Sequence, residues 1–413
     1  MDENKSLSSY YLDAFLDSYH EWTLYGKGLK YASRELRYCL NAQKKRLQEK
    51  GITAEECYEH VKDEIKGSLL KEGDPYEARI LYREGNRMTT YRNGEKILKK
   101  YKTPVTFYGC LLDKKNYVDH LCTCPNCGHQ TLLSELNDGC PYCSTVFETD
   151  DSYPCFTSSY MVNNIVERAS LMDRLKRRMI IVGITAGLLI FVAFLFSFKE
   201  YVWYFRILGA LFMGGLYGGV FAFIAYMGSS LFLAVKVFHE AGKSLSLLPG
   251  LNTRKKLTKK LESVDPGFSF EYFEGRILSL FRTIAYSRDR DSLSIYTGHQ
   301  DLSALDDLID IQYRGALQLK DVRIGENTTQ IRIKAFLRNT YEKGHIYHKD
   351  ENYLLTVERE NGSFTDPGFS LLRIQCPNCG GSFDALHEKH CPHCGSAYDL
   401  VHDDWVITEI RKV

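Results

Sequence analysis

The chain lacks a charge excess: 53 Lys and Arg face 52 Asp and Glu over 413 residues, for a formal net charge of +1. Nucleic-acid binders usually carry a basic surplus, so nucleic acid is not expected as a partner. The N-terminus, MDENKSLSSY, has no apolar export core. There is no nucleophile elbow, no Gly-rich phosphate loop and no helix with paired metal histidines, so the chain is not expected to be an enzyme. His299 with Asp301, or Asp306 with Asp307 and Asp310, could be assembled into a site. A helix start and a solvated acidic face explain these residues better.

Cysteine, by contrast, is plentiful, with 13 residues. Eight form Cys-x-x-Cys pairs in two similar stretches, CPNCGHQTLLSELNDGCPYC and CPNCGGSFDALHEKHCPHC. Without an export signal this spacing reads as zinc rather than disulfides. The ligands are Cys124, Cys127, Cys140 and Cys143 in the first ribbon (122–146). In the second (374–397) they are Cys376, Cys379, Cys391 and Cys394. Four thiolates close a tetrahedral site and leave no open position for catalysis, so the two Zn2+ ions are expected to be structural. Gly128, Gly380 and Gly395 follow a second cysteine and suit the left-handed turn of such a clip; Ser144 departs from the pattern. Cys122, His390 and His393 are the alternative ligands. Cys39, Cys57, Cys110, Cys122 and Cys155 follow no pattern and read as small buried residues.

Between the ribbons, residues 179–198 and 207–235 are uncharged and long enough to cross a bilayer as helices. The turn between them holds Lys199, Tyr201, Trp203, Tyr204 and Arg206. Arg168, Arg174, Lys176, Arg177 and Arg178 precede the first span; Lys236, Lys243, Arg254, Lys255 and Lys256 follow the second. The positive-inside rule then predicts a two-helix hairpin in the cell membrane, with both termini and both ribbons in the cytoplasm. Gly183 and Gly187 can pack against the GGLYGG run within the hairpin, or Gly214, Gly215, Gly218 and Gly219 can form a homodimer face. The run RKKLTKK offers Arg254, Lys255, Lys256, Lys259 and Lys260 to anionic lipid, or is simply a solvated helix face.

Each ribbon follows a strand-rich stretch and precedes another strand. Ile80 lies 44 positions before Cys124, and Ile333 lies 43 before Cys376. That register over about 75 residues suggests an internal duplication. Arg92-Asn93-Gly94 signals a hairpin turn. Residues 9–48 read as a long helix or helix pair, Thr53 with Glu56 as a capping box opening another helix, and SALDDLIDIQY as a short helix. Phe270, Phe273, Ile277, Leu280, Phe281 and Ile284 repeat at helical spacing. The fold class is α+β: helices under a curved antiparallel sheet.

The segment from about 262 to 413 resembles the Tim-forty-four-like family, named for the scaffold of the mitochondrial import motor. The resemblance rests on DPGFSFEYFEGRILSLFRTI, DLSALDDLIDIQY, three strands and the closing DDWVITEI with Trp405. It is nearest to bacterial membrane-anchored members with a zinc ribbon before the last strand. It covers about a third of the chain and implies a cone of the nuclear-transport-factor-two-like type, peripheral membrane association and a scaffold role. Joined to the duplication, it gives an N-terminal α+β domain (1–165), a membrane hairpin (179–235), a basic linker (236–262) and a Tim-forty-four-like domain (263–413). The expected function is a membrane-anchored, zinc-stabilised scaffold that binds a protein partner. The alternatives are a small-ligand or enzymatic cone, or an oligomeric pore component.

Overall fold

The computed structural model describes residues 2–413, apart from 62–63, 74–75, 125, 137–138, 146–151, 164–167, 198–199, 201, 246–252, 364 and 373; side chains at 2–7, 168–176, 178 and 229–245 are likewise undescribed. The expected turn residues Lys199 and Tyr201, and the side chains of Arg168, Arg174, Lys176, Arg178, Lys236 and Lys243, therefore lie outside the described residues. The chain forms two compact units, one of residues 1–164 with 247–413 and one of residues 165–246.

The first unit is α+β. Helices α1 (Asp2–Tyr25) and α2 (Arg34–Glu49) precede β1 (Thr53–His60), β2 (Lys66–Lys71), β3 (Glu77–Asn93) and β4 (Lys96–Asp113). The first ribbon follows, with β5 (Leu121–Thr123), β6 (Gln130–Leu132) and α3 (Leu133–Leu136); β7 (Cys155–Asn163) closes this half. After the second unit come α6 (Thr253–Leu261), α7 (Phe270–Tyr286), β8 (Leu308–Ile324), β9 (Thr328–Glu342) and β10 (Ile346–Glu360). The second ribbon carries β11 (Ile374–Gln375) and β12 (Ser382–Phe383), and β13 (Val406–Lys412) ends the chain.

Nine strands share one sheet, in the order β1-β3-β4-β7-β8-β9-β10-β13, with β2 also on β3. Every ladder is antiparallel except β7–β8, which meet at Val162 and Tyr313 alone. Both halves of the chain thus build one sheet rather than two separate ones. The two halves share a strand path, three antiparallel neighbours, an inserted ribbon and a fourth strand on the third (β1-β3-β4-β7 and β8-β9-β10-β13), but β2 of the first half has no counterpart in the second.

Helices and strands share the core, with Phe281 of α7 and Ile333 of β9 in one cluster. The Ser269 hydroxyl caps α7 by accepting from the Tyr272 amide at 3.3 Å. Phe273, Ile277, Leu280, Phe281 and Ile284, picked out by their helical spacing, are all fully buried. Each buried apolar side chain contributes about 1.5–3 kcal/mol. Strand β3 is covered on both faces: Leu81 joins the cluster of α1 and α2, while Ile80 joins Tyr272 of α7. Residues 253–261, expected as part of a linker, form α6, whose Leu257 and Leu261 are fully buried.

Two local readings fail. Thr53 and Glu56 do not open a helix; they lie in β1, paired with Arg92 and Thr89 of β3. Glu56 faces inward to reach Arg87, a tertiary gain that a local cap cannot match. In SALDDLIDIQY only Ser303–Leu305 is helical, as a single 3-10 turn. From Leu308 the chain is β8, where the β-branched Ile309 and Ile311 suit a strand between two neighbours.

The second unit holds α4 (Arg168–Ser197) and α5 (Trp203–Leu245). Met179–Ser197 and Trp203–Gly228 are long and apolar enough to span a membrane. Large apolar side chains such as Leu189, Leu208 and Phe212 stand exposed on them, as lipid-facing residues would. Gly183, Gly187, Gly214 and Gly218 hold the helices together. A Cβ on Gly218 would lie 2.9 Å from the Gly183 carbonyl oxygen, and one on Gly187 2.9 Å from that of Gly214. Gly215 and Gly219 have open space instead.

Candidate metal centres

Each ribbon brings its four cysteines together from two tight knuckles. In the first, the Gly128 amide donates to the Cys124 carbonyl at 2.9 Å, and the Cys124 amide donates to the His129 carbonyl at 2.8 Å. The same pair of bonds recurs from Ser144 and Cys140, from Gly380 and Cys376, and from Gly395 and Cys391. The turn needs a left-handed residue after the second cysteine. Gly128, Gly380 and Gly395 have φ of 75°, 71° and 73°, and Ser144 adopts 57°. Serine takes the glycine conformation here at a cost of about 1–2 kcal/mol.

The sulfurs form two tight quartets. Sγ of Cys124 lies 3.7 Å from that of Cys143, and Cys127 lies 3.7 Å from Cys140. Cys376–Cys394 and Cys379–Cys391 are also 3.7 Å apart. All four ligand atoms of each group lie within 4.8 Å of one another. A disulfide would need about 2 Å. A tetrahedron with Zn–S bonds of about 2.3 Å has an edge of about 3.8 Å, which both quartets match.

Neighbouring polar groups favour the thiolates. The Thr145 hydroxyl lies 3.2 Å from Cys143 Sγ, and the Ser396 hydroxyl 3.0 Å from Cys394 Sγ. These hydrogen bonds lead in holding both thiols down at about 6. Asn126 Nδ2 stands 3.7 Å from Cys143 Sγ, and Asn378 Nδ2 stands 3.6 Å from Cys394 Sγ. Sequence reasoning missed this outer set. Its signal was present, since both copies read Cys-Pro-Asn-Cys and both carry a hydroxyl residue two positions after the last cysteine.

Two of the alternative ligands, Cys122 and His393, are engaged elsewhere. Cys122 Sγ faces the His120 carbonyl, and His393 Nε2 lies 3.0 Å from the Ser382 carbonyl oxygen. Cys39, Cys110 and Cys155 are buried, whereas Cys57 and Cys122 are half-buried. Of the acidic residues that could be assembled into either site, Asp306 pairs with Arg290 at 2.8 Å. Asp301 accepts from the Ser303 amide at 2.9 Å at the start of the 3-10 turn, and Asp307 pairs with Lys50 at 2.9 Å. Asp310 is buried rather than on a solvated face, because it pairs with the buried Arg87 at 2.9 Å.

The second ribbon is tied into the sheet unit. The Leu386 carbonyl accepts from the Ser294 amide at 2.8 Å, and His387 Nε2 lies 2.7 Å from the Tyr38 hydroxyl of α2. Comparison with protein-family models, curated proteins and solved structures returns no match for the chain.

Proposed function

We propose that the chain is a membrane-anchored scaffold whose soluble unit is held in shape by two structural zinc ions. The observation that carries this reading is the closed geometry of both quartets: protein thiolates fill all four positions around each would-be ion. A closed site stabilises a fold and offers no place for substrate, and no catalytic residue is assigned to the chain.

The sheet also supports the membrane topology. Strands from before and after the two apolar helices share hydrogen bonds in a single sheet. One sheet cannot lie on two sides of a bilayer, so both flanks belong to the same side, as a two-helix hairpin requires. The basic flanks and the thiols favour the cytoplasm.

The shared strand path, with a ribbon before each fourth strand, supports an internal duplication of a nuclear-transport-factor-two-like cone. The Tim-forty-four-like reading rests on the quoted sequence motifs. Helix α6 buries Leu257 and Leu261 and leaves Lys255, Lys256, Lys259 and Lys260 exposed, a surface fit for anionic lipid. Arg254 is exposed too and pairs with Glu271 at 2.6 Å. Gly215 and Gly219, the open pair, are the ones left for a second copy of the hairpin.

Chemical cross-linking in intact membranes tests the scaffold role. The reading predicts one defined protein partner at fixed stoichiometry, lost when chelation removes zinc. A monomer with no cross-linked partner in zinc-loaded membranes would contradict it.

A further inference from the structure

Strand β4 runs past its outer neighbour β7 and leaves one edge of the β3–β4 ribbon unpaired at its turn. The β4–β7 ladder stops at Val105 and Asn163, while β4 continues back to Lys96. On the other side, β1 pairs with β3 as far as Arg92, one residue before β3 ends. The start of β4 is therefore paired with β3 alone, and its outer edge before Val105 has no strand beside it. Leu98 is a bulge residue: Tyr91 pairs with Lys99 and Arg92 with Ile97, leaving Leu98 unpaired.

The composition of this tip is unusual for a free edge. Ile97 is 53% exposed and Leu98 37%. They lie between Lys96 and the pair Lys99 and Lys100, and all three lysines are exposed. Arg92 and Lys102 are paired with Glu55 and Glu59. Lys96, Lys99 and Lys100 have no ion-pair partner among the described residues. The root of the tip is fixed: the Tyr101 ring lies 4.0 Å from that of His348 on β10. The ribbon thus presents two apolar side chains flanked by three exposed lysines, with Glu95 the one acidic residue of its turn. An aqueous surface would not reward the apolar pair, and a neutral partner would not reward the lysines. An anionic bilayer interface rewards both.

We propose that the β3–β4 tip is a second membrane contact, with Ile97 and Leu98 entering the interface and Lys96, Lys99 and Lys100 bound to anionic headgroups. This rests on the reading of α4 and α5 as membrane spans.

The test is hydrogen exchange on the full chain in nanodiscs of phosphatidylcholine, with or without phosphatidylglycerol. Amides of residues 93–100 are expected to exchange about tenfold or more slowly with the anionic lipid, since each lysine near a charged surface is worth roughly fivefold in binding. The exposed triple variant Lys96→Glu, Lys99→Glu, Lys100→Glu should abolish the difference, and Ile97→Ser with Leu98→Ser should weaken it. Exchange at 93–100 that ignores lipid charge would overturn the proposal, as would slowing by added single-stranded RNA but not by lipid. Residues 180–196 are the control. If they exchange freely in both nanodiscs, the membrane-span reading fails instead.

Discussion

Val162 of β7 stands beside Tyr313 of β8, and this single parallel pair joins the two halves of the sheet. Two residues on, Gly315 holds a φ of 80°, and a Cβ there would lie 2.6 Å from Val162 Cγ1. The seam needs glycine for both backbone and space. Gly315→Ala should therefore cost about 2–4 kcal/mol, the sum of left-handed strain and a forced shift of Val162. Gly344→Ala, at φ 76° in open space, should cost only about 1 kcal/mol. Unfolding midpoints in detergent compare the two.

A buried ion network also crosses the seam. Arg87 of β3 holds Glu56 at 2.5 Å and Asp310 of β8 at 2.9 Å, and all three are buried. Burial alone would raise the Asp310 carboxyl; the Arg87 charge overrides it and holds it below the usual range. Arg87→Met would leave two buried carboxylates uncompensated and should destabilise by about 3–5 kcal/mol. Asp310→Asn with Arg87→Met should recover part of that loss, measured as a double-mutant cycle.

These features show where sequence reading succeeds and stops. The α+β class, the helix spacing from Phe270 to Ile284, the turn after Asn93 and both cysteine quartets are local patterns, and local patterns survive folding. The seam is not local. Val162 and Tyr313 are far apart in sequence, and nothing near either residue signals the other. Thr53 and Glu56 misled because a capping box is read within four residues, whereas β1 is chosen by its ladder with β3 and by Arg87. Ser144 looked like a departure, yet the knuckle geometry set by Cys140 and Cys143 imposes the left-handed turn regardless of the residue.

Glu274 should give stability a pH dependence. It accepts hydrogen bonds from Tyr160 at 3.0 Å and from Tyr313. Burial, opposed by those hydroxyls, pushes its carboxyl up to about 7. The folded chain then keeps a proton that the unfolded chain loses near 4.3. Between those values the native state binds more protons, so this group's contribution falls as pH rises from about 4.3 to about 7. Glu274→Gln should remove that dependence and stabilise the protein at pH 8 by about 1–3 kcal/mol, read from unfolding midpoints at pH 5 and 8.

The hairpin glycines divide by neighbour. Gly218→Leu would drive a side chain into Gly183 and Gly187 and should separate α4 from α5, lowering the folded yield in detergent. Gly219→Leu meets open space within the chain and should leave the hairpin intact. If Gly219→Leu instead lowers the molecular mass of the purified particle, the open glycines form a homodimer face.

The central claim is two independent, closed zinc sites on one membrane-anchored chain. The most direct measurement is zinc per chain in detergent-purified protein, for wild type, Cys124→Ser and Cys376→Ser. Two ions in the wild type, falling to one in each variant, is the predicted result. One ion in the wild type, lost in only one variant, would contradict the claim of two sites and remove the best support for the duplicated architecture.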